Sequence, residues 1–479
     1  MSDFGITGYG AYVPRLRIER GIIAEAHKWM APGLKGQAKG SRAFCSWDED
    51  AITMAVEAAR DALTGGTVAG VKAVYLASTT MPYADLQNAA IVAGAISAPE
   101  GIASSDIGHS QRAGTSGLLQ ALKAGEEALF IASDAPVGKP ASTQEISYGA
   151  GAAAFTLGSQ GVIARLVGKA SVTETFVDHF RATGQKYEYV WEERWVRDEG
   201  YAKLAPAAIK AALADAGIGI EGVTHFAMPS MLRAVAEAVA KSVKFGGNIV
   251  SGLENGVGYA GAAHAALQLA LALETAKPGE KILVLGFGQG ADALIFEVSE
   301  AIAALPRRRG VSGAVADALA TDSYMRMLSF AEGIELEWGM RAERSGKTQL
   351  TEQNRSAFQL EAFNAGQCAA CETIQFPQFQ FCVKCQAPRK QFRQVPLADQ
   401  PARVLTSTAD WLSYYPAPPL YCGFVQFDNG ARLLMEMVDV GPKGIERGEA
   451  LRMVYRIKER DRVRGYNRYF WKTTPVAAG

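Results

Sequence analysis

Residues 106–117 read Asp-Ile-Gly-His-Ser-Gln-Arg-Ala-Gly-Thr-Ser-Gly. An apolar segment ends here, and a helix rich in Ala, Leu and Gly begins. A side chain at such a junction sits at a helix N-terminus, where partial positive charge favours an anion. A catalytic thiolate is often placed at this kind of position. Here the position holds Gln111. An amide donates hydrogen bonds but forms no acyl intermediate at neutral pH.

Working outward, the elements around this junction occur twice. An amphipathic helix over about 50–63 turns Ile52, Met54, Ala55, Ala58 and Leu63 inward and leads to the apolar strand 71–78. A helix at about 86–97, a strand near 102–107 and a buried helix at about 112–125 follow, then strands at 127–133 and 151–158. The second run has a helix at about 202–216, a strand at 223–229 and a helix at about 231–243. It continues with a strand near 248–250, a buried helix at 258–276 and strands at 281–287 and 291–298. Buried strands alternating with helices predict a duplicated α/β core of two mixed sheets enclosing helices. The duplication makes Gln111 and Val257 equivalent junctions.

The 479 residues exceed a single core and predict two or three domains. Lys+Arg and Asp+Glu balance at 49 each, which argues against a general polyanion binder and favours self-association. No uninterrupted run of about 18–20 apolar residues occurs. No basic-then-apolar leader opens the chain. A cytoplasmic protein without a membrane span is expected.

The order of elements resembles the thiolase superfamily, in its hydroxymethylglutaryl-CoA synthase and ketoacyl synthase III branch. The text that carries the resemblance includes Gly5-Ile-Thr-Gly-Tyr-Gly-Ala-Tyr-Val-Pro14, Asp48–Arg60 and Phe287-Gly-Gln-Gly-Ala291, and it covers roughly residues 3–300. It implies a five-layer αβαβα core, a coenzyme A thioester as substrate and a homodimer through that core. It also locates departures. The synthases' nucleophilic Cys falls at Gln111, their acid/base Glu at about Thr79, their His at about Ala227 and their Asn at about Val257. Cys45 precedes the Asp48 helix and reads as a packed thiol.

Cys368-Ala-Ala-Cys371 and Cys382-Val-Lys-Cys385 are two CxxC knuckles, a spacing that places four thiolates on one tetrahedral ion. A structural Zn²⁺ is expected, with no open position for catalysis. An all-β pattern follows over about 390–472, with Asp428-Asn-Gly430 as a hairpin turn. Knuckles plus barrel resemble the zinc-ribbon/OB-fold proteins that accompany thiolase-like enzymes. An OB barrel also invites a nucleic-acid reading. Between Arg452 and Lys472, eight Arg/Lys and two acidic residues interleave with Tyr466, Tyr469, Phe470 and Trp471. The zero net charge and the thiolase-like partner weigh against nucleic acid.

Three readings stay open for Gln111: an amide donor to a thioester or enolate oxygen, a relic in a binding subunit, or a packing residue at the helix start. His109, Tyr83 and Tyr259 are the accompanying catalytic candidates. Tyr148 follows a loop that lines the same pocket by resemblance. Gly288 and Gly290 allow close backbone approach to the thioester, and Arg233 is placed to meet a CoA phosphate, both by resemblance. Asp292 reads as a loop anchor, and His225 and His264 as core.

The expected organisation is an N-terminal thiolase-like half (1–165), a C-terminal half (166–300), a linker or docking segment (301–345), a zinc ribbon (346–392) and an OB-fold barrel (393–479). The expected activity is aldol or retro-aldol chemistry on a β-hydroxyacyl-CoA without an acyl-cysteine, as an acyl-CoA lyase or an acyltransferase-like enzyme. The alternative is a non-catalytic synthase-like subunit supporting a second thiolase or acyltransferase chain. No nucleic acid or membrane partner is expected.

Overall fold

A computed structural model describes residues 4–343 and 346–476. The chain forms two compact units, Met1–Cys45 with Asp50–Val92 and Ala98–Met327, and Ser46–Glu49 with Ala93–Ser97 and Leu328–Gly479.

The first unit is built on ten strands: β1 (Gly5–Tyr12), β2 (Ala73–Ala77), β3 (Ala103–Ile107), β4 (Ala128–Asp134), β5 (Gly151–Gly158), β6 (Ala164–Thr173), β7 (His225–Ala227), β8 (Asn248–Ile249), β9 (Lys281–Phe287) and β10 (Gly290–Val298). Their order is β8-β7-β9-β10-β6-β1-β5-β4-β2-β3. The two expected sheets are therefore joined, through the pairing of Ile6 with Ala164. Outward from that seam, both halves repeat one pattern. β1-β5-β4 and β6-β10-β9 are antiparallel. β4-β2-β3 and β9-β7-β8 are parallel. The sequence pattern offers no second copy of β1. The structure supplies it as β6, where Val167 interrupts the alternation of Arg165, Lys169 and Ser171 with apolar residues.

Four helices matter for the site: α1 (Ala51–Ala62), α2 (Ala113–Ala124), α3 (Ala202–Ala216) and α4 (His264–Leu273). Asp50 opens α1 with a reciprocal cap on Thr53, which satisfies two orphan donors. α2 and α4 are the buried pair. Gly114 on α2 packs so closely that a Cβ there would lie 2.1 Å from the Ala262 carbonyl oxygen. α4 starts later than the pattern suggests, after a 3₁₀ turn over Gly261–Ala263. The buried Asp134 carboxylate holds that turn by accepting from the Ala262 N–H at 2.8 Å.

The basic run 306–310 is no free tether. Arg308 donates to the Tyr9 carbonyl at 2.6 Å, and the N–H groups of Arg309 and Gly310 donate to Asp61 at 3.0 and 2.9 Å. It straps β1 to the end of α1 within the first unit.

The second unit carries a three-stranded ribbon and a barrel. Asn364–Cys368 is the centre of the ribbon, between Ile374–Gln375 and Phe392–Pro396. In the barrel, Ala402–Val404 pairs with both Ala450–Asp461 and Leu420–Phe427. Arg432–Met437 and Tyr466–Pro475 complete a closed circuit. Trp471 is buried, stacks on Phe363 at 5.9 Å and donates to the Glu361 carbonyl at 2.7 Å. Tyr455 and Tyr469 are buried with it. Lys472 is 1% exposed, 2.9 Å from Asp48 and over the Trp47 ring at 4.5 Å. Of the basic and aromatic text that invites a nucleic-acid reading, Arg456, Lys472, Tyr469 and Trp471 are thus buried, where the two charges meet acidic partners and the two rings cannot stack on bases.

Candidate active site

The site forms where β3 hands over to α2. Arg112 caps α2, and Gln111 lies one residue earlier. Thr115, Ser116 and Arg112 converge on the buried Asp292 carboxylate at 3.1, 2.5 and 3.4 Å. Asp292 therefore anchors the first turn of α2 to β10, which extends the loop-holding role expected for it. Arg112 also donates to the Val172 carbonyl on β6 at 3.0 Å.

Gln111 Oε1 accepts from the Tyr259 hydroxyl at 2.7 Å. Its Nε2 is buried and has no hydrogen-bond partner among the described residues. An amide held by its oxygen, with both N–H donors unspent, is a costly arrangement in an empty interior and a useful one beside an oxyanion. Tyr259 is buried, and loss of solvent raises its phenol well above the usual range, so it stays a donor. Its ring stacks on His264 at 5.3 Å and on Tyr148 at 6.2 Å. The Tyr148 hydroxyl donates to Glu188.

The Gly288-Gln-Gly290 loop lies against this turn. The Gly288 carbonyl accepts from Ser110 Oγ at 3.1 Å. A Cβ on Gly288 would sit 2.7 Å from Ser110 Oγ and 3.4 Å from the Gln111 nitrogen, and one on Gly290 would strike the Val172 carbonyl at 1.9 Å. Both glycines have positive φ, at +154° and +117°. Close approach and backbone conformation both require them.

The other expected residues are spread out. His109 is exposed, in left-handed backbone at φ +70°, and makes no hydrogen bond among the described residues. The Tyr83 N–H and carbonyl are held by the Asn88 side chain at 3.3 and 3.0 Å. Arg233 is exposed in the turn before the helix Val235–Ser242. The Thr79 hydroxyl donates to Asp134 at 2.7 Å. Ala227 and Val257 are buried and apolar. Cys45 packs its sulfur 3.9 Å from Met54.

An aspartate–histidine pair, with Asp178 buried and His179 half-buried, was not legible in the sequence. Asp178 lies 2.9 Å from His179 Nδ1 and accepts from Gln289 Nε2 at 2.8 Å. The adjacent Asp-His text is its only signal, and it falls between β6 and α3, where the periodicity is weak.

His264 is buried beneath Tyr259, and its Nδ1 accepts the Ala260 N–H at 3.1 Å, which fixes a neutral ring. Burial pushes it down to about 4, against the opposing charge of Glu254. Below about pH 6.5 the unfolded chain takes up a proton that the folded core refuses. Stability is therefore expected to fall by about 3 kcal/mol as pH drops from 6.5 to 4, and His264→Asn is expected to flatten that slope. Urea unfolding of both proteins at pH 7 and pH 5 measures it. Equal pH dependence would exclude a neutral buried ring.

In the second unit, the Sγ atoms of Cys368, Cys371, Cys382 and Cys385 all lie within 4.8 Å of one another. Cys368 to Cys385 and Cys371 to Cys382 are each 3.5 Å. Tetrahedral zinc with 2.3 Å bonds needs sulfurs about 3.8 Å apart, so the cluster fits that ion.

Hydroxymethylglutaryl-CoA synthase of Methanopyrus kandleri is 31% identical over 310 residues, spanning 62% of this chain and 88% of that protein. The chain belongs to the hydroxymethylglutaryl-CoA synthase family. The Methanocaldococcus jannaschii synthase agrees, at 30% over 305 residues, 62% of this chain and 88% of its own. A hydroxymethylglutaryl-CoA synthase crystallised with CoA superposes with a TM-score of 0.59 at 16% identity, over 70% of this chain and 91% of that one. The 3-oxoacyl-(acyl carrier protein) synthase III of Pseudomonas aeruginosa gives 0.56 at 20% identity, over 62% and 98%. These likenesses establish a thiolase-like fold. No family model matches the chain. No helix among the described residues is long and apolar enough to cross a membrane.

Proposed function

We propose that this synthase-family chain binds an acyl-CoA and performs aldol or retro-aldol chemistry on a β-hydroxyacyl-CoA without an acyl-cysteine. One observation carries the reading: a carboxamide, Gln111, stands at the helix junction that resemblance assigns to the nucleophilic Cys, and its Nε2 is buried and unpaired among the described residues. Acyl transfer needs a nucleophile there. Retro-aldol cleavage needs only a base for the β-hydroxyl and donors for the enolate oxygen. Gln111 supplies the donors, and Tyr259 orients it. The Gly288–Gly290 loop leaves room for the thioester, and Arg233 meets a CoA phosphate. The electron pair of the broken Cα–Cβ bond passes to the thioester enolate. A proton returned to Cα then releases acyl-CoA, while the β carbon leaves as an aldehyde or ketone.

We also infer that the four cysteines hold one structural Zn²⁺. Four thiolates complete its shell, so the ion supplies folding energy and no reacting position.

The purified chain is expected to convert β-hydroxyacyl-CoAs to a shorter acyl-CoA plus a carbonyl compound. Chromatography of the thioesters and hydrazine trapping of the carbonyl follow both products. Absence of both across a panel of chain lengths and branched substrates sinks the lyase reading. An acyl adduct on the first unit, found by mass spectrometry, sinks the claim of non-covalent chemistry.

A further inference from the structure

Retro-aldol cleavage requires a proton carrier, and neither Gln111 nor Tyr259 is one: the amide does not titrate, and the phenol is held protonated by burial. The aspartate–histidine pair has the missing character. Asp178 is 6% exposed and accepts from Gln289 through one oxygen while the other faces His179 Nδ1. A carboxylate at Nδ1 selects the tautomer with its proton there and leaves the Nε2 lone pair free. No described residue bonds His179 Nε2.

Contacts also tie the pair to the Gln111 turn from two sides. On one side, Gln289 holds Asp178, while its neighbour Gly288 sits on Ser110. On the other, a short hairpin pairs His179 with Val190 and Phe180 with Tyr189. Glu188, next along that hairpin, accepts from Tyr148, which stacks on Tyr259, which holds Gln111. The circuit Gln111–Tyr259–Tyr148–Glu188–hairpin–His179–Asp178–Gln289–Gly288–Ser110 closes on itself.

We propose that His179 is the proton carrier of the reaction proposed above, with Asp178 and Gln289 as positioning residues. The inference rests on that reading. Neutral His179 takes the β-hydroxyl proton through Nε2 as the Cα–Cβ bond breaks. The bonding pair moves to the enolate, whose oxygen Gln111 holds. The imidazolium then returns the proton to Cα, and the enzyme is restored with no external oxidant or acid.

The charged groups facing the ring are Asp178, Glu188 and Asp134. Burial pulls His179 down, but the hydrogen bond and charge of Asp178, with Glu188 and Asp134 beyond it, outweigh burial and raise it above its usual value. The base form is therefore gained as pH climbs through a value above about 6.5. Turnover is expected to rise along that limb.

The test uses the full chain with its metal. His179→Gln is expected to lower kcat by about 100-fold or more and to abolish the limb, with acetyl-CoA affinity by calorimetry within about threefold of the parent. Asp178→Asn is expected to move the limb to lower pH, a readout a purely structural role would not shift. The ¹⁵N resonances of the five histidines, assigned by their loss in single variants, locate the titration independently. Cleavage by the wild type with an unchanged kcat and pH limb in His179→Gln overturns the assignment alone. No cleavage by the wild type overturns the reaction and the assignment together.

Discussion

Replacing Gln111 by Leu is expected to lower retro-aldol turnover by about 100- to 1000-fold, the loss typical of one oxyanion donor, while the KM for the acyl-CoA changes little. Leu removes both N–H donors and leaves an apolar side chain one bond shorter. It also leaves the buried Tyr259 hydroxyl without its acceptor, at about 1–3 kcal/mol, so a modest fall in Tm accompanies the effect. Tyr259→Phe separates the two roles. It keeps the donors and frees the amide to rotate, so its loss should be smaller than that of Gln111→Leu. Gln111→Cys is expected to give no synthase: Thr79 is tied to Asp134, and Ala227 is apolar and buried, so the accompanying acid/base groups are missing. Steady-state kinetics and intact-mass analysis with acetyl-CoA check the series. Wild-type kcat in Gln111→Leu would remove the amide from the chemistry.

Metal analysis is expected to find one zinc per chain, lost in Cys382→Ser or on treatment with a strong chelator. Zinc–tetrathiolate binding is worth about 10–16 kcal/mol in small peptides, more than a three-stranded ribbon with one two-residue strand can recover from its own core. Its strands are otherwise held by five Cα pairs on one side and two on the other. Cleavage by protease within 364–396 should therefore appear on metal removal, while β1–β10 remain protected in hydrogen exchange. Retained protease resistance of the metal-free chain would show that the four sulfurs are dispensable to the ribbon.

Much of the α/β core was legible because its strands are buried on both faces and its helices are apolar along one stripe. α1, α2 and α3 fall within a residue or so of their predicted bounds. β6 was not legible, since Val167 falls in phase with its exposed polar residues and breaks the period-2 alternation. The late start of α4 was not legible either. Asp134, some 130 residues away in sequence, holds Ala262 in a 3₁₀ turn, and no local propensity encodes that contact. Within the expected linker or docking segment 301–345, Arg308 bonds the Tyr9 carbonyl and Arg309 bonds Asp317, contacts that no local pattern encodes.

That an amide occupies the α2 junction, that the α/β pattern repeats and that four cysteines stand at zinc spacing are properties of residue type and interval, visible along a linear chain. Which way the Gln111 amide faces, and that Asp178, His179 and Gln289 meet, depends on contacts between residues about 110–150 positions apart. Side-chain direction and buried pairing exist only once the sheet has closed, so the proton carrier emerges from the fold and not from the text.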